Sequence, residues 1–167
     1  MLLTNLTAIV TGGCSGLGHA TAVALRGAGV KVSLFDLNDE QGAQRVTELG
    51  EEGTLFSHVD VRDEEQVQRG IDATTAKFGA ISMVVNCAGI APAKRLLDRE
   101  GNPAPLGDFQ KTIDINLVGS FNVARLVAAT MAKQSPINDE GERGLIINTA
   151  SVAGYEGQIG QTAYAAS

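Results

Sequence analysis

Short apolar runs alternate with stretches of helical periodicity along the chain. Residues 7–10 (TAIV), 30–36 (VKVSLFD), 54–59 (TLFSHV), 81–85 (ISMVV) and 144–148 (GLIIN) are β-prone. Their shortness and the turn residues that bound them read as strands. The second run is nearly all apolar until it ends in Asp36, as a strand buried on both faces should be. Between the strands, residues 19–26, 40–49, 63–77 and 106–133 read as helices. Asp63 and Gln66 have the spacing of a capping box, and Gly53 and Gly79 mark the ends of the second and third helices. In the fourth helix Phe109, Ile113, Leu117, Phe121, Val123 and Ala124 form an apolar face. Asn116 lies in its middle, against asparagine's local preference, which points to a hydrogen-bonded or functional position. The connection over residues 90–107 holds Pro92, Pro103 and Pro105 and is long for a strand-to-helix link, so a functional or interface role is expected of it. A second polar loop covers residues 134–143. The alternation predicts one α/β domain over residues 1–167, built on a doubly wound parallel sheet.

The stretch Thr11–Gly18 (TGGCSGLG) adds chemistry to this frame. It joins the first strand to the first helix, where backbone N–H groups and the helix dipole favour an anion. Gly12 allows the tight turn, Gly16 lets the backbone approach a pyrophosphate, and Gly18 lets helix and strand pack closely. The spacing G-x-x-x-G-x-G is one residue longer than the usual dinucleotide fingerprint. Asp36, at the end of the second strand, stands where a ribose 2′-hydroxyl would be accepted, and its charge would repel a 2′-phosphate, which favours NAD over NADP. Asp60 closes the third strand and Asn86-Cys87-Ala88-Gly89 the fourth. Ligands of open parallel sheets bind outside these carboxyl ends, so four features converge on one edge.

Composition narrows the partners. The formal net charge of −6 argues against binding driven by phosphate neutralisation, so no nucleic-acid partner is expected. The two cysteines, Cys14 and Cys87, have no metal-ligand spacing, and His19 and His58 read as packed or solvated side chains, so no metal site is expected. With no basic, apolar leader and no apolar run approaching membrane length, the expectation is a soluble, cytoplasmic chain without a membrane partner.

Residues 149–167 read TASVAGYEGQIGQTAYAAS, with Ser151 and Tyr164 after a strand. Together with TGGCSGLG, Asp36, Asp60, NCAG and the mid-helix Asn116, this ordered set resembles the short-chain dehydrogenase/reductase family over essentially the whole chain. The runs RGLIINTASVAGYEGQIGQTAY and INLVGSFNVARLVA resemble most the branch acting on 3-hydroxyacyl-CoA thioesters. The resemblance implies a Rossmann fold and NAD as cofactor. It implies Tyr164 as general acid/base, Ser151 as the hydrogen bond to the substrate oxygen, and Asn116 as the holder of a water. Ser15, Leu17, Asp36, Asp60, Val61 and Cys87 become cofactor contacts, several through backbone atoms, alongside Gly12, Gly16, Gly18, Asn86, Ala88 and Gly89. Gln161 becomes a neighbour of the substrate. Family members also commonly form tetramers, which implies a homotetramer at full length. The family's lysine falls one position beyond Ser167. The expectation is therefore a chain incomplete at its C-terminus, lacking the last strands and inactive by itself. Reduction of 3-oxoacyl groups on acyl carrier protein, a hydroxysteroid substrate and an inactive cofactor-binding or scaffolding module stand as alternatives.

Overall fold

A computed structural model describes residues 6–167. The strands are β1 (Thr7–Thr11), β2 (Lys31–Asp36), β3 (Thr54–His58), β4 (Met83–Asn86) and β5 (Leu145–Asn148). They form a wholly parallel sheet in the order β3-β2-β1-β4-β5. The helices are α1 (Gly16–Gly27), α2 (Asp39–Leu49), α3 (Glu64–Phe78), α4 (Leu106–Ile113), α5 (Ser120–Ala132), α6 (Ala153–Glu156) and α7 (Thr162–Ala165). The doubly wound sheet expected from the sequence is the one found. Chain order reverses between β1 and β4, which puts the topological switch point beside the glycine turn.

The apolar strand runs are explained by burial on both faces. On one face Ile9, Phe35 and Val84 pack with Val67 and Ile71 of α3 and with Val123, Val127 and Met131 of α5. On the other, Ala8, Val10, Val32, Leu34, Met83 and Val85 pack with Ala22 of α1. Successive side chains alternate between the two cores, as the pleat requires.

Several boundaries move for identifiable reasons. The first helix begins at Gly16, because the last glycines of the turn already belong to it. Asn38 caps α2 by accepting from the Gln41 N–H at 2.9 Å, so Asp39 is its first residue. β4 starts at Met83 because the Gln134 side-chain amide brackets the Ile81 backbone, with its oxygen 2.7 Å from the N–H and its nitrogen 2.9 Å from the carbonyl. The expected capping box is rearranged. Asp63 does accept from the Gln66 N–H at 3.0 Å, but its own N–H goes to the Asp60 carbonyl. Gln66 then turns its oxygen to the Asp60 N–H and its nitrogen to the Asp63 carboxylate.

The largest departure lies in the fourth helix. A π-helical turn, Asp114–Gly119, separates α4 from α5 and carries Asn116. The extra residue of a π-turn rotates the downstream helix by about 100° relative to an unbroken one. The expected apolar face therefore does not form a single buried stripe. Phe109, Leu117 and Phe121 face outward, Phe121 with 66% of its surface exposed, while Thr112, Gly119, Asn122, Val123 and Val127 face in. The run Leu106–Ala132 is also long enough, at 27 residues, and apolar enough, with an 18-residue stretch of mean hydropathy 1.3, to cross a bilayer, against the expectation that no run approaches that length. It carries Asp114 and Arg125, and its inner side packs on α3 and β4. At the edge of the sheet, Leu145, Ile146 and Ile147 of β5 are exposed.

Candidate active site

β1 ends at Thr11, whose hydroxyl accepts from the Cys87 N–H at 3.1 Å and the Ala88 N–H at 3.0 Å. One side chain thus joins the glycine turn to the turn after β4. The backbones come so close that a Cβ on Gly12 (φ 61°) would lie 3.0 Å from the Ala88 Cα. On Gly18 it would lie 2.1 Å from the Gly12 carbonyl oxygen, so only glycine lets α1 start this near the strand. At Gly16 a Cβ would meet nothing within 4 Å, and this residue opens onto a cleft.

The start of α1 is built differently from the starts of α2 and α3. Those are capped by Asn38 and Asp63 and carry Asp39, Glu40, Glu64 and Glu65 in their first turns. Ser15 caps α1 without a side-chain hydrogen bond, and no acidic residue follows in the first turn. An anion there would meet unscreened backbone donors.

The cleft has a volume of about 650 Å³. Gly12, Ser15, Gly16, Leu17 and Gly18 line one side, and Cys87, Ala88 and Gly89 line the floor between β1 and β4. Asn116, Ser151 and Tyr164 line the opposite side, so the three residues expected to do chemistry share one cavity with the glycine turn. The Asn116 amide brackets the Ile90 backbone, accepting from its N–H and donating to its carbonyl, both at 2.9 Å. It also donates to the Ser167 hydroxyl at 2.9 Å. The Ser151 hydroxyl accepts from the Ala153 N–H at 3.2 Å, which leaves its proton to point into the cleft. Burial pushes the Cys87 thiol up, which suits a packing role and not thiol chemistry.

The remaining expected residues lie around the cleft without lining it. Asp36 accepts from the Cys14 N–H at 3.0 Å through one oxygen and from the Leu37 N–H at 2.7 Å through the other. This carboxylate thereby fixes the glycine turn. Asp60 lines a separate open hollow of about 570 Å³ with Arg62 and Asp114. Its hydrogen bonds from the Arg62 guanidinium hold its carboxyl below the usual range. Val61 is buried in the core. Asn86 is buried, its amide donating to Asn148 across the sheet at 2.9 Å. Gln161 pairs with Lys94 of the long loop and stays off the cleft wall. Sequence patterns alone do not single out Thr11, Tyr155 or Asn122. Thr11 could have been suspected as the last hydroxyl before the glycines, whereas the exposed Tyr155 on the cleft rim has no local signature.

A doubly wound sheet whose switch point opens between a glycine turn and a polar cleft is a Rossmann-type dinucleotide fold. The family model described as short chain dehydrogenase matches residues 6–167, and the chain belongs to that family. It is 47% identical over 164 residues to the human 3-hydroxyacyl-CoA dehydrogenase type-2, covering 98% of this chain and 62% of that protein. It is 36% identical to ipsdienol dehydrogenase of Ips pini, covering 95% of this chain and 61% of that one. The crystal structure of 3-hydroxyacyl-CoA dehydrogenase type-2 from Mycobacterium avium superposes with a TM-score of 0.91 at 44% identity, covering 98% of this chain and 64% of that one. The chain thus spans somewhat under two thirds of the length of these relatives.

Proposed function

We propose that the protein is an NAD-dependent oxidoreductase that transfers a hydride between the cofactor and the 3-hydroxy or 3-oxo carbon of an acyl-CoA thioester. The observation that carries this reading is the meeting of Ser151, Tyr164 and Asn116 in the cleft beside the glycine turn. Similarity to relatives named 3-hydroxyacyl-CoA dehydrogenase type-2 supports the substrate class. NAD, when bound, would supply the acceptor for the hydride leaving the alcohol carbon. The chain's own residues do the rest. The glycine turn and the uncapped start of α1 would hold the pyrophosphate, and Asp36 would accept the ribose hydroxyl. Ser151 holds the substrate oxygen by its hydroxyl. The Tyr164 side chain takes the proton from that oxygen as the carbonyl forms, and returns it in the reverse reaction. Asn116 fixes the Ile90 backbone at the cleft wall.

NADH formation from 3-hydroxybutyryl-CoA by the full-length protein tests the reading. Tyr164→Phe should lower the rate by about 10²–10⁴ while leaving cofactor binding intact. Equal rates for the two proteins refute the assignment of Tyr164. A preference for NADPH and acyl carrier protein substrates would favour the 3-oxoacyl reductase alternative, and Asp36 counts against it. A hydroxysteroid substrate is separated by the same assay. Cofactor binding without turnover on any of these would favour a scaffolding module. We further read the exposed Phe109, Leu117 and Phe121 as part of a homotetramer contact at full length. The net charge of −6 and the free thiols of Cys14 and Cys87 support a cytoplasmic protein without nucleic-acid partners. Asp114 and Arg125 within α4–α5 support a helix without a membrane partner.

A further inference from the structure

The carboxyl ends of three neighbouring strands follow one another across the sheet. The glycine turn leaves β1, Asp36 ends the neighbouring β2, and Asp60-Val61 follows β3, with adjacent strands about 4.8 Å apart. If pyrophosphate sits at the first and ribose at the second, the base of the adenosine half reaches the third. The turn at Asp60-Val61 therefore has to be held in place, and most of what holds it is local. Gln66 takes the Asp60 N–H and Arg62 takes the Asp60 carboxylate, both from the segment after the strand.

One bond comes from elsewhere in the fold. Asn122 of α5, 61 positions along the chain, donates its amide to the Val61 carbonyl at 2.9 Å. Asn122 is buried, and its oxygen accepts from Arg125 at 2.7 Å, which in turn pairs with Glu64 of α3 at 2.7 Å. One helical turn earlier, Gly119 lets Val61 press against the helix, since a Cβ there would lie 2.5 Å from the Val61 Cγ2. We propose that Asn122 is a positioning residue that registers the adenosine-side turn at Val61 against the body of the fold. This rests on the cofactor reading given above.

The test is ADP-ribose binding by calorimetry to the wild type, Asn122→Leu and Gln134→Leu. Gln134 is the control: its side-chain amide also hydrogen-bonds a distant backbone, that of Ile81, from just past the far end of α5. Both variants lose stability. Asn122→Leu leaves a buried carbonyl without its donor and should weaken ADP-ribose about tenfold, whereas Gln134→Leu should bind as the wild type does. The KM for NAD should rise in step for Asn122→Leu at unchanged kcat. Should that variant not fold, Arg125→Met leaves the Asn122–Val61 bond but removes its brace, and should weaken binding about twofold relative to Gln134→Leu. Equal affinities in the compared variants overturn the inference. A wild type that binds no ADP-ribose overturns the cofactor reading and this inference with it.

Discussion

Gly18→Ala and Gly27→Ala are the same substitution in the same helix, and the structure gives them opposite signs. Alanine is favoured over glycine in a helix by about 1 kcal/mol, and less at the final position. At Gly27, the exposed last residue of α1, a Cβ meets nothing within 4 Å, so the variant should gain about 0.5 kcal/mol. At Gly18 the same atom falls 2.1 Å from the Gly12 carbonyl oxygen, 2.7 Å from its carbon and 3.2 Å from the Gly13 Cα. These are backbone atoms and cannot swing away, so helix and turn must separate by about 1 Å, which costs about 3 kcal/mol or more against the propensity gain. The net expectation is a loss of about 2 kcal/mol, or roughly 4–8 °C in Tm. Urea unfolding followed by circular dichroism measures both. The displaced carbonyl belongs to the glycine turn, so NAD affinity should fall for Gly18→Ala and stay unchanged for Gly27→Ala. A Gly18→Ala protein as stable as the wild type would refute the close-approach argument.

Other outcomes rest on the same geometry. Asp36→Ala removes the acceptor of the Cys14 N–H as well as the ribose ligand, so NAD affinity should drop about tenfold and discrimination against NADP should narrow in paired titrations. Asn116→Leu leaves the Ile90 N–H and carbonyl unpaired and should cost about 2 kcal/mol in urea unfolding, with turnover falling further than stability explains. Burial, with Asp36 nearby, pushes the Cys14 thiol up to about 12. The unfolded chain gives up that proton first, so stability should decline as pH rises above about 9, and a Cys14→Ala variant should lose much of that decline. In the folded protein at pH 8, Cys14 should resist a thiol-exchange reagent, and rapid labelling would contradict its burial.

The sheet was legible because strands buried on both faces leave little choice of residue. Ile9 and Phe35 serve one core while Val10 and Leu34 serve the other, so the alternation that normally separates inside from outside disappears into a continuous apolar run. The fourth helix was not legible to the same degree. Its spacing fits an unbroken 3.6-residue period, and a single π-turn defeats such a reading by one residue, turning Phe121 outward and Asn122 in. Asn116 nonetheless marked a hydrogen-bonded position in that helix. An asparagine placed against its local preference was there because its amide completes the Ile90 backbone, and the π-turn presents it.

The site divides along the same physical line. Residues whose place depends on local backbone geometry could be read directly, as Gly12 and Gly18 were from close approach. Tyr164 and Ser151 needed the ordered pattern of a family, since neither hydroxyl differs locally from any other. What no local pattern encodes are the bonds that tie separate strand ends together, such as Thr11 to the turn after β4 or Asn122 to Val61. Their donors and acceptors are ordinary backbone groups, and any polar side chain of suitable length could reach them. They would matter to a cofactor spanning three strand ends, which binds only as tightly as those ends hold their mutual spacing. Hydroxyls and amides in the core beneath a site of this kind therefore bear on affinity even where they touch no ligand.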